Sequence, residues 1–123
     1  MPAIFQQQND VNLSKYDLTR EGLTIGRSAK NDVYLDDPSV SQFHANIEAK
    51  ELKNSNLIYF INDLNSTNKT KVNAQVVEQY LLNDQDIIEI GLNQFKYVDE
   101  DSESLAATQA FRKSWIPGVK ILK

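Results

Sequence analysis

The stretch LTIGRSAKNDVYLDDPSVSQFHANIEAKEL, residues 23–52, alternates short apolar runs with polar loops. Its apolar runs are LTIG (23–26), VYL (33–35) and HANIEAKEL (44–52), and Asn, Asp, Ser and Pro stand between them. In the third run, alanine and isoleucine alternate with polar residues, which is the period of a half-buried β-strand. The stretch therefore predicts three strands that are joined by polar loops.

Runs of the same kind lie on both sides of this stretch, with Asn or Gly in many of the turns between them. They are KYDLT (15–19), LIYFIND (57–63), TKVN (70–73), VVEQYLL (76–82), DIIEIG (86–91) and QFKYV (94–98). Many short strands at close spacing are typical of an all-β sandwich or barrel. The pattern predicts an all-β domain and requires no helix of ordinary length before residue 100.

The composition bounds the class of protein. The 123 residues are 41% hydrophobic and 24% charged, which fits one globular domain with its own core. The formal net charge of −4 argues against general nucleic-acid binding, which uses a basic face to neutralise phosphates. Cysteine is absent, which excludes disulfides and cysteine zinc sites and fits a reducing cytoplasm. The sequence has no apparent signal peptide or membrane span, so a soluble protein is expected.

The composition changes at Asp99. DEDSES (99–104) is acidic and polar, which is typical of a linker, and residues 105–123 form a short apolar or amphipathic segment. We therefore predict one domain over residues 1–98, followed by a linker and tail over residues 99–123.

Three loops in the β pattern carry many hydrogen-bonding side chains. Gly26, Arg27 and Ser28 follow the first strand of the opening stretch, SVSQFH (39–44) leads into its third strand, and NSTN (65–68) follows LIYFIND. Residues of these types often serve turn geometry alone. They are also the donors that bind phosphate and peptide groups.

Taken together, these motifs resemble the forkhead-associated (FHA) domain, a phosphothreonine-binding β-sandwich. Gly-Arg, Ser-x-x-His and Ser-Thr-Asn occur in the family's order, and the resemblance covers about residues 15–98. It implies an eleven-stranded β-sandwich of the SMAD/FHA-like type with a C-terminal tail. The implied function is phosphothreonine-dependent binding of a partner protein, the product of a Ser/Thr kinase, in cytoplasmic signalling. No enzymatic activity, cofactor, metal, nucleic acid or membrane is implied.

The resemblance assigns five residues to the phosphopeptide. Arg27 would bind the phosphate oxygens with its planar donor fork, and Ser41 and Thr67 would add neutral hydrogen bonds. Asn68 has both an amide donor and a carbonyl acceptor, so it would bind the peptide main chain. Gln42 stands where the family often has Arg or Lys, and it offers a neutral amide instead.

Five further residues are predicted to support this site. Gly26 would allow close approach of the backbone, His44 would brace the binding loops, and Ser66 would stabilise its turn. Lys30 and Lys69 would contribute positive charge from the rim. Lys69 stands where the family usually has glycine, and a positive φ there would cost a non-glycine residue about 1 kcal/mol.

Two other functions stay open on the sequence. Ser41, His44 and Asp63 can be drawn as a hydrolase triad, although the Gly-x-Ser-x-Gly nucleophile motif is missing. The alternative to both is a degenerate sandwich that binds an unphosphorylated partner, and Gln42 and Lys69 favour it because they depart from the family pattern.

The tail supplies one more hypothesis. Thr108 lies beyond the acidic linker, where a kinase can reach it, and residues 99–104 span at most about 20 Å when extended. Because that linker would strain docking of Thr108 on its own domain, self-association between two molecules through phosphorylated Thr108 is a further prediction. In the alternative interpretation, LAATQAF begins a short helix that packs with Trp115 and Ile116 on the sandwich or on a partner.

Overall fold

The computed structural model describes residues 2–99, which form eleven β-strands and no helix. In chain order the strands are β1 Ala3–Gln8, β2 Val11–Asp17, β3 Leu23–Gly26, β4 Val33–Tyr34, β5 Ala45–Glu51, β6 Leu57–Asp63, β7 Thr70–Val72, β8 Gln75–Val77, β9 Gln79–Leu81, β10 Ile87–Ile90 and β11 Asn93–Val98. The predicted all-β class is confirmed. This part of the chain contains no helix long and apolar enough to cross a lipid bilayer.

The strands form two sheets. One has the order β2-β1-β11-β10-β7-β8 and the other has the order β4-β3-β5-β6-β9. Neighbouring strands are antiparallel except for β3 and β4, a short parallel pair that aligns Ile25 with Val33. The two sheets enclose one core, which is the predicted β-sandwich.

Side chains from both sheets fill that core. Tyr59 of β6 and Tyr97 of β11 meet across it with ring centroids 6.4 Å apart. Ile61, Ile88 and Phe95 have no accessible surface. Because alternate residues of a strand point to one face, each strand contributes its apolar set to the same interior. Burial of one such side chain stabilises the fold by about 1.5–3 kcal/mol.

The run VVEQYLL (76–82) forms two strands, so its interpretation as one strand is wrong. β8 pairs with β7 in the six-stranded sheet, whereas β9 pairs with β6 in the five-stranded sheet. The chain bends between them at Glu78, whose carbonyl oxygen accepts a hydrogen bond of 2.9 Å from the Asp63 N–H. A strand that changes sheets keeps a face on the common core, so its apolar pattern does not reveal the bend.

The sequence pattern identified only part of the N-terminal hairpin. All of β1 and the first half of β2 precede the predicted run KYDLT (15–19). Asn9 and Asp10 join the two strands with φ angles of 53° and 64°. Two consecutive positive φ angles are the geometry of a tight hairpin turn, which favours Asn and Asp. The Asn-Asp pair was therefore the available signal, and the run of three glutamines before it hid the strand.

The beginning of β1 and the end of β11 lie side by side. β11 runs from Asn93, next to the turn after β10, to Val98 at the opposite end of the sandwich, where Val98 pairs with Ala3. The predicted linker thus begins at the end that lies away from the polar loops. The rest of the predicted linker and tail, with Thr108 and Trp115, lies outside the described residues.

Candidate functional site

Three loops meet at one end of the sandwich. They follow β3 (residues 27–32), precede β5 (residues 35–44) and connect β6 to β7 (residues 64–69). They border an open cavity of about 330 Å³ whose lining includes all five residues assigned to the phosphopeptide, namely Arg27, Ser41, Gln42, Thr67 and Asn68. Pro38, Ser39 and Val40 complete the lining. The structure thus brings the three sequence motifs together, while their role in binding stays a prediction.

Arg27 is oriented by its neighbours. Its backbone N–H donates to the Ser41 carbonyl at 2.9 Å, and its Nε donates to the Val40 carbonyl at 2.9 Å. The second bond fixes the plane of the guanidinium and leaves its two terminal nitrogens without a protein partner among residues 2–99. Those nitrogens form the donor fork that binds two oxygens of a phosphate or carboxylate.

Ser41 and Thr67 join the second loop to the third. The Ser41 hydroxyl oxygen accepts a hydrogen bond of 3.0 Å from the Thr67 backbone N–H. Because a hydroxyl group both accepts and donates, Ser41 keeps its own hydrogen for a ligand. The Thr67 side chain is exposed at the cavity.

Asn68 forms a further bridge between the same loops. Its Nδ2 donates to the Ser39 carbonyl at 2.9 Å. One amide hydrogen and the carbonyl oxygen of this side chain have no partner in the described part of the chain. That donor and acceptor match the two backbone groups of an extended peptide.

His44 braces the loops from below. It is fully buried, its Nδ1 accepts the Ser41 backbone N–H at 3.1 Å, and its Nε2 lies 2.9 Å from the Lys69 carbonyl oxygen. Since the backbone N–H can only donate, Nδ1 must be the acceptor and Nε2 must carry the proton. Both ring nitrogens therefore hold backbone groups of different loops.

The hydrolase triad is not formed. His44 contacts the backbone N–H of Ser41 and not its hydroxyl, and the Asp63 carboxylate bonds to Ser66 and Thr70. Within residues 2–99, no general base is therefore hydrogen-bonded to the Ser41 hydroxyl, as nucleophilic catalysis would require. Residues 2–99 also contain no group of His, Asp and Glu side chains that could hold a metal ion.

Asp63 organises the third loop. Its carboxylate accepts hydrogen bonds from the Ser66 N–H at 3.1 Å, from the Ser66 hydroxyl and from the Thr70 hydroxyl at 2.8 Å. Burial raises the pKa of Asp63, but these hydrogen bonds outweigh burial and leave the pKa below its ordinary value. Ser66 is buried in this network and does not line the cavity.

Gly26 and Asn31 hold the first loop against the second. A Cβ atom on Gly26 would overlap the Gln42 carbonyl oxygen, so the close approach of the two loops requires glycine. The buried Asn31 donates from Nδ2 to the carbonyls of Ser28 at 2.9 Å and Gln42 at 2.8 Å. Asn31 was not predicted as a site residue, because its only signal in the sequence was its place in the polar loop after Arg27.

The two predicted rim lysines lie in different places. Lys30 is exposed and does not line the cavity. Lys69 lines a second cleft of about 220 Å³ that adjoins the cavity and shares Ser39 and Asn68 with it. The φ angle of Lys69 is 67°, so the residue occupies the left-handed conformation that glycine would adopt without strain.

The comparisons with known proteins agree with this architecture. A family model described as "FHA domain" matches residues 23–91. The FHA domain of FhaA, solved in complex with the intracellular domain of Rv3910, is 27% identical, with a TM-score of 0.67, and the match covers 79% of this chain and 99% of that chain. No curated protein matches the sequence.

Two other solved structures resemble the chain at similar levels. One comes from a structural and functional analysis of phosphothreonine-dependent FHA domain interactions, with 29% identity, a TM-score of 0.66, and coverage of 79% of this chain and 96% of that one. The other is EmbR of Mycobacterium tuberculosis in complex with a low affinity phosphopeptide, at 31% identity and a TM-score of 0.64. That match covers 78% of this chain and 24% of EmbR.

Proposed function

The chain belongs to the FHA domain family, whose members are phosphothreonine-peptide binding modules, and on that premise we propose that it recruits a Thr-phosphorylated partner protein in kinase signalling. The observation that carries this proposal is the composition of the cavity wall. Of the eight described residues that line the cavity, Arg27 alone is charged, so no carboxylate of residues 2–99 lines it. A cavity with one preoriented cation and several neutral donors favours a phosphate group.

In the proposed complex, the phosphate accepts hydrogen bonds from the terminal nitrogens of Arg27. The hydroxyl groups of Ser41 and Thr67 donate to its remaining oxygens, and Gln42 adds an amide hydrogen. Asn68 pairs with the peptide main chain beside the phosphorylated residue. The loops are already linked to one another through Ser41, Asn68 and His44, so binding costs little ordering of the protein.

The proposal predicts selectivity for phosphothreonine over phosphoserine, because the family pocket also packs the threonine methyl group. One buried methyl group contributes about 1 kcal/mol, which corresponds to about fivefold in affinity. Calorimetry with three matched peptides, carrying phosphothreonine, phosphoserine or unmodified threonine at the same position, measures both dependences. Equal binding of the unmodified peptide would reject the proposal and support the degenerate sandwich.

We also propose that this binding is the domain's whole activity, so that the protein is an interaction module and not an enzyme. The absence of a base on the Ser41 hydroxyl supports this, as does family membership. Ester hydrolysis that is lost in Ser41→Ala would contradict it.

Self-association is proposed as one use of the cavity. The linker begins at Asp99, at the end of the sandwich opposite the cavity, which favours exchange of phosphorylated Thr108 between two molecules over docking on the same one. Semisynthetic phosphorylation of Thr108 should then give a dimer in light scattering, and Arg27→Ala should return it to a monomer. A phosphorylated protein that stays monomeric would reject this use.

A further inference from the structure

A four-residue turn, residues 37–40, lies in the loop that precedes β5. The Val40 N–H donates to the Asp37 carbonyl at 2.9 Å, which closes the turn. Asp37 and Pro38 occupy its first two positions, where a type I turn favours Asp and Pro. The last three residues of the turn line the cavity, whereas Asp37 does not. Any effect of Asp37 on a ligand in the cavity must therefore pass through the rest of the turn.

The turn presents two consecutive carbonyl groups to side chains from the other two loops. The Ser39 carbonyl accepts a hydrogen bond of 2.9 Å from Nδ2 of Asn68. The Val40 carbonyl accepts one of 2.9 Å from Nε of Arg27. These two side chains are the ones assigned to the peptide main chain and to the phosphate. Because each carbonyl belongs to a planar peptide group, the orientation of both side chains depends on the course of this turn.

The Asp37 carboxylate holds the turn in place. Its Oδ1 accepts the Ser39 N–H at 2.9 Å, and its Oδ2 accepts Nδ2 of Asn93 at 3.0 Å. Asn93 is the first residue of β11 and lies 56 positions along the chain. One oxygen thus binds within the turn, and the other ties the turn to the six-stranded sheet. The bond from the Ser39 N–H is the main reason why the pKa of Asp37 lies below its ordinary value of 3.8.

Other contacts hold the same turn with neutral groups. The Leu92 N–H donates to the Ser39 hydroxyl at 3.0 Å, and a Cβ atom on Gly91 would overlap that hydroxyl. The Val40 side chain is buried. The bonds to the Asp37 carboxylate differ from these contacts because they are charge-assisted, and such bonds are roughly twice as strong as neutral ones. Asp37 is therefore the residue whose loss should loosen the turn most.

We propose that Asp37 is a positioning residue of the phosphopeptide site. It holds the turn so that its two carbonyl groups orient Arg27 and Asn68 before a ligand arrives, and Asn93 anchors it on β11. The inference rests on the proposed function and assigns the preorganisation of that site to a residue outside the cavity. Without Asp37, the two side chains would become ordered only on binding. Ordering one such side chain typically lowers affinity by about two- to tenfold.

Nuclear magnetic resonance of the unliganded protein tests the orientation directly. In the wild type, the Nε–H signal of Arg27 and the Nδ2–H signals of Asn68 should be shifted away from those of mobile side chains, because each group donates to a carbonyl. The Arg27 Nε–H should also exchange slowly with water. In Asp37→Ala, both sets of signals should move to the positions of mobile side chains, and this exchange should become faster. A role in stability alone would lower the melting temperature and leave the signals in place.

Calorimetry with one phosphothreonine peptide measures the consequence for binding. Asp37→Ala should weaken binding by about two- to tenfold. Asn93→Ala keeps the carboxylate and its bond to Ser39, so it should cause a smaller loss in a protein whose turn is closed. Asp36→Ala is the matched control, because it removes the same charge one position earlier. The Asp36 side chain is exposed and forms no hydrogen bond within residues 2–99, so this variant should keep the signals and the affinity of the wild type.

The two proposals fail in different ways. If the wild type binds the peptide but Asp37→Ala keeps either the two sets of signals or the affinity of Asp36→Ala, the inference is overturned and the proposed function stands. If no phosphorylated peptide binds the wild type, both are overturned.

Discussion

Arg27 is exposed, yet its side chain is anchored before it reaches the cavity. The bond from Nε to the Val40 carbonyl and the bond from the backbone to Ser41 use groups that lie on the far side of a loop, 13 and 14 residues along the chain. An anchored arginine loses less side-chain entropy on binding than a freely rotating one. The combination of the three motifs predicted a phosphate ligand at Arg27, which stays a prediction, whereas the anchoring of Arg27 could not be predicted because both partners are backbone carbonyls.

Replacement of Arg27 by alanine should weaken phosphothreonine-peptide binding by tenfold or more. A hydrogen bond to a charged group typically contributes about 1.5–3 kcal/mol, and the variant removes the donor fork entirely. Isothermal titration calorimetry measures the loss, and thermal unfolding should change little because the side chain is exposed.

Arg20→Ala is the matched control. Arg20 is also an exposed arginine, but it bonds to Glu51 away from the cavity, so its removal should leave binding intact. Equal affinities of the wild type and Arg27→Ala would show that the cavity is not the phosphate site.

The loop between β6 and β7 is held by its own acidic residue. Asp63, the last residue of β6, receives three hydrogen bonds from Ser66 and Thr70, so the loop is closed on the strand that begins it. His44 joins the same loop to the one before β5. From the sequence, Ser66 was predicted to stabilise its turn and Thr67 and Asn68 to bind the ligand, but Asp63 was not identified as the residue that holds the loop. Whether a residue of this loop faces the cavity depends on the side of the turn on which it lies. The positive φ angles of Asn65 and Lys69 determine the course of that turn.

Asp63→Asn should lower the free energy of unfolding at neutral pH by about 1.5–3 kcal/mol, because it weakens hydrogen bonds to a carboxylate. In a domain of this size each lost kcal/mol lowers the melting temperature by about 4–8 °C. Thermal unfolding checks the value, with Asp36→Asn, which removes an exposed carboxylate, as the control.

The pH dependence of that difference provides a second check. The pKa of Asp63 is lower in the folded protein than its ordinary value of 3.8, so its contribution is complete above that pH and is lost as the pH falls through the folded pKa. The stability difference between the wild type and Asp63→Asn should therefore disappear in strong acid. A difference that is constant down to pH 2 would mean that the charge of Asp63 contributes nothing.

Whether a part of the fold could be predicted from the sequence depends on where the interactions that form it lie. Strands such as β5 alternate in the sequence because one face is buried, so β3, β5, β6, β10 and β11 were predicted correctly. β1 lacks this alternation, and the bend at Glu78 has no local signature, so the N-terminal hairpin and the change of sheets were not. The meeting of Arg27 with Thr67, 40 positions apart, is a property of the sheet order, and only the family resemblance anticipated it.

A chain that ends at residue 99 should fold and bind like the full chain. Val98 completes β11, and the core residues that the structure describes lie between Ile4 and Tyr97, so a chain that ends at residue 99 retains both sheets and the described core. Melting temperature and phosphopeptide affinity should both match those of the full chain. A marked loss of stability would instead assign the tail a packing role on the sandwich.

The pairing of Ala3 with Val98 also determines where the domain can be joined to a surface or to another protein. Ala3 and Val98 lie together on the side away from the cavity. A sensor chip or a fused fluorescent protein that is joined next to either residue therefore leaves the loops facing solution. Their closeness also permits insertion of the domain into a surface loop of an unrelated scaffold, because two short connectors can leave and return at nearly the same point. The domain is therefore suited to display as a capture reagent, with its orientation set by the geometry of the two terminal strands.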